Sequence, residues 1–183
     1  TGTGKTAAFI LPILNELLVK HEHVTSTLII VPTRELAVQI DQQIQGFAYF
    51  TEIDSVPIYG GGDGIGWEQQ KKALTTGTDI IVATPGKLIS HLNMGYVKFE
   101  NLRHLILDEA DRMLDMGFRD DIDYILARTP KDRQISLFSA TIDSSVMEIS
   151  RKYMDNPEKI LVSKDEIALP QITQLYTVVN PRE

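Results

Sequence analysis

The chain has 183 residues, 43% of them hydrophobic, and carries a formal net charge of −7. This length and apolar content exclude an intrinsically disordered chain and suit one α/β domain with a sizeable core. The absence of cysteine excludes a disulfide framework and thiolate metal sites, and the acidic balance counts mildly against nucleic-acid binding, because phosphate contacts usually supply that affinity.

Short β-branched runs alternate with segments of helical period along the chain. Strands are predicted at residues 27–31, 55–59, 79–83, 104–108, 134–139 and 159–162. The runs TLIIV and DIIVA are apolar without alternation, which is typical of strands covered on both faces in a parallel sheet. The pattern predicts an α/β fold with a mostly parallel, doubly wound sheet and helices on both faces. In such sheets ligands bind beyond the carboxyl ends of the strands.

The chain opens on TGTGKT (1–6), a glycine-rich turn before a helix whose apolar stretch is too short to span a membrane. The amide groups of such a turn face phosphate oxygens, and the helix N-terminus adds a positive dipole. Lys5 is then expected to reach the β- and γ-phosphates of a nucleotide, and Thr6 to ligate Mg²⁺. The alternative is an ordinary helix start with a solvated lysine, because the full signature needs a further glycine or alanine upstream.

PTRELA (32–37) follows the first predicted strand and opens a helix. Thr33 is a natural N-cap, and Arg34 lies in the first turn, where a cation is locally unfavourable. A phosphate neighbour explains such a cation, although an exposed ion pair with Glu35 is the alternative.

The run GGGDGIG (60–66) is predicted as a loop that is flexible or uses positive φ angles. TPGK (84–87) then repeats the design of PTRELA, with Thr84 as a cap, Gly86 allowing close backbone approach and Lys87 adding charge. Two helix N-termini with cations at one sheet edge predict a track for a sugar-phosphate backbone. The alternative is a well-capped helix with an exposed lysine. Trp67 is assigned no role, since a loop aromatic is more often a packing anchor than a stacking platform.

LILDEAD (105–111) delivers carboxylates to the end of an apolar strand. Asp108 is suited to hold Mg²⁺ through water and Glu109 to orient the attacking water, although acidic residues are also common in first helical turns. The tripeptide SAT (139–141) ends the next predicted strand, where Ser139 and Thr141 can hydrogen-bond Asp111 or, alternatively, cap the helix that begins near residue 143.

These strings, in this order, resemble the DEAD-box family of ATP-dependent RNA helicases. LDEADRMLDMGF (107–118) and LFSAT (137–141) add to the likeness, which extends from Thr1 to about residue 179. The resemblance implies a RecA-like P-loop lobe at residues 1–162, a linker at 163–171 and the start of a second RecA-like lobe at 172–183. It also implies that the chain begins inside the phosphate-binding loop, without the adenine-reading segment, and lacks the second lobe with its arginine finger.

The resemblance further implies the roles of individual residues. ATP phosphates would be bound by Gly2, Thr3, Gly4, Lys5 and Thr6. Catalysis would use Lys5, Asp108 and Glu109, with Thr6 and Asp108 as Mg²⁺ ligands. Nucleotide state would be linked to strand separation through Asp111, Ser139 and Thr141. The backbone of one RNA strand within a duplex would be lined by Pro32, Thr33, Arg34, Gly61, Thr84, Gly86 and Lys87.

Two departures from the family pattern stand out. Lys87 occupies a position where arginine is usual, which loses bidentate phosphate contact. The stretch from residue 59 to 70 is two or three residues longer than usual, so which two of Gly60, Gly61 and Gly62 match the family's glycine pair stays open.

The resemblance predicts a cytoplasmic, monomeric protein whose partners are RNA and the second lobe, with no membrane. An ATP-gated RNA clamp without useful unwinding and a related DNA helicase are the alternatives. Because an arginine finger contributes roughly 10³–10⁵ in rate in related enzymes, these residues alone are expected to hydrolyse ATP barely or not at all. They are also expected to be poorly stable without the strand before Thr1.

Overall fold

The computed structural model describes residues 4–20, 22–61 and 64–161, with only the backbone described at 64 and 65. Its strands are β1 (Thr27–Ile30), β2 (Ser55–Ile58), β3 (Ile80–Ala83), β4 (His104–Leu107) and β5 (Gln134–Leu137). Its helices are α1 (Lys5–Val19), α2 (Arg34–Phe47), α3 (Gly64–Thr76), α4 (Pro85–Asn93), α5 (Ala110–Asp115), α6 (Arg119–Leu126) and α7 (Ser144–Tyr153).

The five strands form one parallel sheet in the order β2-β3-β1-β4-β5. The central strand β1 pairs with β3 on one side and β4 on the other, so that Thr27 is level with both Ile80 and His104. All four residues of β1 and of β3 are buried, which explains why their sequences are apolar without alternation. The prediction of a parallel, doubly wound sheet is confirmed.

Each face of the sheet has its own hydrophobic core, because successive side chains of a strand point to opposite faces. Ile29 and Val31 contribute to the core beneath α1 and α2. Leu28 and Ile30 contribute to the opposite core, which residues from α3 to α7 complete. Helices therefore cover both faces, as the sequence predicts.

The strand predicted at residues 159–162 is wrong for residues 159–161, which form no regular structure; Val162 lies outside the described residues. Ile160 is 78% exposed, and within the described ranges the sheet ends at β5. A β-branched run becomes a strand only against a neighbour, and this run has none there. The predicted linker (163–171) and the segment from 172 to 183 also lie outside the described residues.

The glycine-rich run is a shorter loop than predicted, because α3 begins at Gly64. Gly61 has a φ of 89°, which confirms the expected positive φ angle. Gly62 lies outside the described residues. Trp67 is consequently a helical residue in α3 and not a loop aromatic.

Candidate functional site

The carboxyl ends of the five strands gather the sequence motifs at one edge of the sheet. Four backbone hydrogen bonds carry the ladder one residue past the strands. They run from Val31 N–H to the Ala83 carbonyl (3.0 Å), Thr84 N–H to the Ile58 carbonyl (2.9 Å), Asp108 N–H to the Ile30 carbonyl (3.0 Å) and Phe138 N–H to the Leu107 carbonyl (2.8 Å). The loops that carry the motifs therefore leave the sheet in fixed register.

This edge has two halves of opposite charge. The loops after β4 and β5, together with the start of α1, are the acidic half, with Asp108, Glu109 and Asp111. The loops after β1, β2 and β3 are the basic half, with Arg34 and Lys87. The strand order separates these halves in space, because β2, β3 and β1 lie on one side of the sheet and β4 and β5 on the other.

The start of α1 lies beside the end of β5. Gly4 is the N-cap of α1, with a φ of 72° and a ψ of 6°, and its carbonyl accepts a hydrogen bond from Ala8 N–H at 3.0 Å. Phe9, in the first turns of this helix, packs against Phe138 with ring centroids 5.1 Å apart. Lys5 and Thr6 are half-buried. Gly2 and Thr3 lie outside the described residues.

Asp108 is a buried carboxylate at the end of β4, only 5% exposed. Burial raises its pKa above the ordinary value, and the negative charge of Glu109 acts in the same direction. The Glu109 N–H, which donates to Asp108 Oδ1 at 3.0 Å, and the positive charge of Lys5 both lower the pKa of Asp108 in part. Phe138, on which Phe9 of α1 packs, also donates its N–H to the Leu107 carbonyl, so the α1 start and the β4 end lie close together.

Glu109 has a left-handed backbone, with a φ of 52° and a ψ of 48°. This conformation costs a non-glycine residue on the order of 1–3 kcal/mol, and such strain clusters at functional sites. Glu109 Oε2 forms an ion pair with Arg112 Nη1 at 3.1 Å. The left-handed backbone sets the direction in which the Glu109 side chain leaves the chain, and the ion pair engages the carboxylate that the sequence assigns to the attacking water.

Hydrogen bonds join Asp111 to the loop after β5. Thr141 donates to Asp111 Oδ2 from its backbone N–H at 2.8 Å and from its hydroxyl at 2.9 Å. The Asp111 N–H in turn donates to Ser139 Oγ at 3.2 Å. Partial burial would raise the pKa of Asp111, but the hydrogen bonds from Thr141, Arg112 N–H and Ser139 outweigh it and lower the pKa.

The alternative reading of Ser139 and Thr141 as caps of the next helix is not borne out. Asp143 caps α7, and its Oδ1 accepts a hydrogen bond from Val146 N–H at 2.9 Å. The two hydroxyls are therefore available to the acidic half.

In the basic half, Thr33 caps α2 as predicted and accepts a hydrogen bond from Leu36 N–H at 3.3 Å. Pro32 is buried beside it. The Arg34 guanidinium lies over the Tyr59 ring, 4.7 Å from its centroid. A β-carbon on Gly61 would lie 3.5 Å from Arg34 Nη1, so the glycine loop passes close to this cation.

Thr84 occupies the predicted N-cap position of α4, but without a side-chain capping bond. Its hydroxyl points instead to the Ile58 carbonyl at 3.5 Å. Pro85 occupies the first turn of α4, Gly86 is exposed, and no atom comes within 4 Å of a β-carbon built on Gly86. This leaves the α4 N-terminus open to a close backbone approach.

Sequence reasoning missed the aromatic contacts of the basic half. Trp67 stacks on His91 at 4.0 Å between ring centroids, and Lys87 Nζ lies 4.2 Å from the Trp67 centroid. The one local signal is the spacing of Lys87 and His91, four residues apart on α4, which places both on one helix face. Nothing in the sequence indicates that Trp67 of α3 meets that face.

A cleft of about 440 Å³ opens beside Arg34, between β2 and α3. It is lined by Arg34, Val56, Pro57, Tyr59, Gly66, Gln69 and Gln70. Two amide side chains and a guanidinium give this cleft a polar wall on the basic half.

The oxygen donors of the acidic half suit Mg²⁺. This ion takes one or two carboxylates together with substrate phosphates and waters, and seldom an all-protein cage. The described residues hold no cluster of three or more His, Cys, Asp or Glu side chains fit to bind a metal. Asp108 and the Thr6 hydroxyl are the oxygen donors that the sequence assigns to this ion.

Of the helices described, none has the length and apolarity to traverse a membrane.

Comparison with known proteins agrees with this geometry. Residues 1–149 match the family model described as DEAD/DEAH box helicase. The chain is 41% identical over its whole length to the DEAD-box ATP-dependent RNA helicase CshA of Geobacillus kaustophilus, of which it spans 38%. It is 42% identical to the ATP-dependent RNA helicase DeaD of Buchnera aphidicola, of which it spans 30%.

Solved structures give the same result for the fold. A DEAD-box protein from Methanococcus jannaschii superposes with a TM-score of 0.76 and 38% identity, over 85% of this chain and 41% of that one. The yeast DEAD-box splicing factor Prp28 superposes with a TM-score of 0.77 and 32% identity, over 85% of this chain and 38% of that one. The fold is that of the RecA-like DEAD-box domain, and the chain belongs to the DEAD/DEAH-box helicase family.

Proposed function

We propose that this chain supplies the ATP site and part of the RNA site of an ATP-dependent RNA helicase that separates short duplexes locally. The observation that carries the proposal is the meeting of α1, β4 and β5 at one sheet edge, where Phe9 of α1 packs on Phe138 and Thr141 binds Asp111. The basic half of the same edge supplies the cations that an RNA backbone needs. The cytoplasmic location and the monomeric state stay predictions.

In the acidic half, the amides of the residue 2–6 turn and Lys5 would bind the ATP phosphates. Thr6 and Asp108 would hold Mg²⁺, which supplies charge neutralisation at the β- and γ-phosphate oxygens when bound. Glu109 would orient the attacking water and accept its proton. The left-handed backbone of Glu109 supports this role, because such strain clusters at functional sites.

In the basic half, the N-termini of α2 and α4 would receive phosphate groups of one RNA strand. Free amide groups and the helix dipole favour an anion at each N-terminus, and Arg34 and Lys87 add charge there. Such contacts position a backbone and carry no direct sequence information, so the RNA would be bound with little regard to its bases.

The hydrogen bonds of Asp111 supply the link between nucleotide and RNA. Asp111 follows Asp108 and Glu109 by one turn, and it holds the residue 139–141 loop through Thr141. A shift of the β4 loop when ATP is hydrolysed would therefore be transmitted to the β5 loop, which supports a coupling role for Asp111, Ser139 and Thr141.

Two assays on the complete natural protein test this function. Separation of a short RNA duplex, measured beside ATP-dependent binding of single-stranded RNA, distinguishes a helicase from an ATP-gated clamp that binds without unwinding. ATP hydrolysis stimulated by RNA and not by DNA of the same sequence is the expected result. Equal stimulation by DNA would favour the DNA helicase instead.

A further inference from the structure

The contact between α3 and α4 contains a stack of three side chains, of which only Lys87 has a part in the function proposed above. The Trp67 indole lies nearly parallel to the His91 imidazole, at 14° and 4.0 Å between centroids. Lys87 Nζ lies 4.2 Å from the centroid of Trp67. The indole therefore joins a fixed histidine to the cation at the N-terminus of α4.

His91 is a rigid support for the indole. It is fully buried, its Nε2 lies 3.1 Å from Gln70 Oε1, and its Nδ1 is hydrogen-bonded to the Tyr96 hydroxyl. With both ring nitrogens engaged, the imidazole cannot rotate without losing a hydrogen bond. Burial, together with the positive charge of Lys87, lowers the pKa of His91 to about 4. The ring is neutral near pH 7 and does not repel the ammonium group.

The indole holds Lys87 without neutralising its charge. A lysine stem is flexible, and a cation over an indole face is attracted by the ring quadrupole. Across the described ranges no carboxylate forms an ion pair with Lys87. No described carboxylate therefore competes with an anion that approaches the α4 N-terminus.

The second cation of the basic half is held in the same way, with Arg34 over the ring of Tyr59. Some arginines elsewhere lie on carboxylates, as Arg103 does with Glu16 and Arg119 with Glu148. Arg128 also lies over an aromatic ring, that of Tyr124. Aromatic support is therefore shared by the two cations that face the predicted RNA track.

We propose that Trp67 is a positioning residue for RNA binding: it fixes the Lys87 ammonium at the α4 N-terminus, where the ammonium contacts a backbone phosphate. The inference rests on the proposed RNA site and adds a residue to it. Lys87 stands where the family usually has arginine. Holding its ammonium group in place partly compensates for the loss of the guanidinium, because less side-chain freedom is lost when the phosphate binds.

A double-mutant cycle in the complete natural protein tests the proposal. The probe is a fluorescein-labelled ten-nucleotide oligouridine, bound in the presence of Mg²⁺ and a non-hydrolysable ATP analogue. Lys87→Gln is expected to weaken binding about tenfold, and Trp67→Ala about three- to tenfold. Trp67→Phe, the matched control, keeps an aromatic face and is expected to stay within about threefold of the wild type.

The decisive comparison is Trp67→Ala in the Lys87→Gln background. If Trp67 acts through Lys87, the second substitution adds almost nothing to the first. An equal loss from Trp67→Ala in both backgrounds, or no loss in either, would overturn the proposal. Failure of the wild-type protein to bind the oligouridine at all would instead overturn the proposed RNA function.

Tryptophan fluorescence supplies a test that does not depend on how Trp67→Ala folds. The emission of Trp67, isolated as the difference between the wild type and Trp67→Phe, is expected to change when oligouridine binds, since a phosphate then engages the ammonium beside the ring. The Lys87→Gln variant is expected to lose that change. Tight binding of oligouridine with an unchanged Trp67 emission would contradict the proposal.

Discussion

The acidic and basic halves of the sheet edge hold their functional side chains by different means. In the acidic half, backbone conformation and hydrogen bonds fix the carboxylates, as in the left-handed Glu109 and the Thr141–Asp111 pair. In the basic half, aromatic rings support cations that keep their charge, as Trp67 does for Lys87. A chain with a net charge of −7 can thus carry two cations, Arg34 and Lys87, on the half of the edge away from Asp108 and Glu109.

The largest effect is expected from the acidic half. Glu109→Gln removes the carboxylate assigned to the attacking water and keeps its size, so the rate of ATP hydrolysis should fall about 10²–10⁴-fold. Steady-state phosphate release with saturating RNA measures it. Glu52→Gln, at an exposed position away from this edge, is the matched control and should leave the rate unchanged. Near-normal hydrolysis by Glu109→Gln would remove Glu109 from the mechanism.

The second prediction concerns the junction of the two loops in the acidic half. Thr141→Val removes the hydroxyl bond to Asp111 Oδ2 and leaves the backbone bond in place. A hydrogen bond to a charged group contributes about 1.5–3 kcal/mol, so duplex separated per ATP hydrolysed should fall roughly tenfold. Thr75→Val, which removes an exposed hydroxyl that bonds only its own helix, serves as control. An unchanged yield per ATP would show that Thr141 does not couple the two activities.

The third prediction is a gain of stability in the acidic half. Burial raises the pKa of Asp108, so its charge opposes folding. Asp108→Asn should therefore increase the free energy of unfolding at pH 7.5 by roughly 0.5–2 kcal/mol, while Mg²⁺-dependent ATP hydrolysis is lost.

The pH dependence of this gain in stability follows from the direction in which the pKa of Asp108 is shifted. The penalty for the charged Asp108 is present above the raised folded-state pKa and disappears as pH falls through it towards the unfolded value near 4. Urea unfolding should show that the difference in the free energy of unfolding between Asp108→Asn and the wild type becomes smaller as the solution is acidified. An advantage that grows on acidification would contradict the raised pKa.

The smallest effect is expected in the basic half. Lys87→Arg restores a planar guanidinium, which binds phosphate in a bidentate manner and stacks on an indole. RNA affinity should increase about threefold. Lys72→Arg, at an exposed position on α3, provides the control. A loss of affinity would show that the site is shaped for an ammonium group.

Local patterns predict the sheet and the acidic half well, because their information lies within short segments. An apolar run such as TLIIV is a buried strand wherever it is covered on both faces, and the DEAD tetrapeptide follows its strand directly. Contacts between distant segments are not encoded in this way. The prediction of a strand at 159–161 is wrong because a strand forms only beside another strand, and none lies there among the described residues. The stack of Trp67 on His91 depends on the packing of α3 against α4, which neither segment encodes alone.

The central claim is that one sheet edge brings Lys5, Thr6, Asp108 and Glu109 around a single metal-bound triphosphate. A crystal structure of the complete natural protein with Mg²⁺ and a non-hydrolysable ATP analogue tests it most directly. The metal should lie about 2.0–2.1 Å from the Thr6 hydroxyl and from phosphate oxygens, with Asp108 reaching it through water and Glu109 facing the γ-phosphate. A triphosphate bound away from the end of β4, with Asp108 and Glu109 remote from it, would contradict the account.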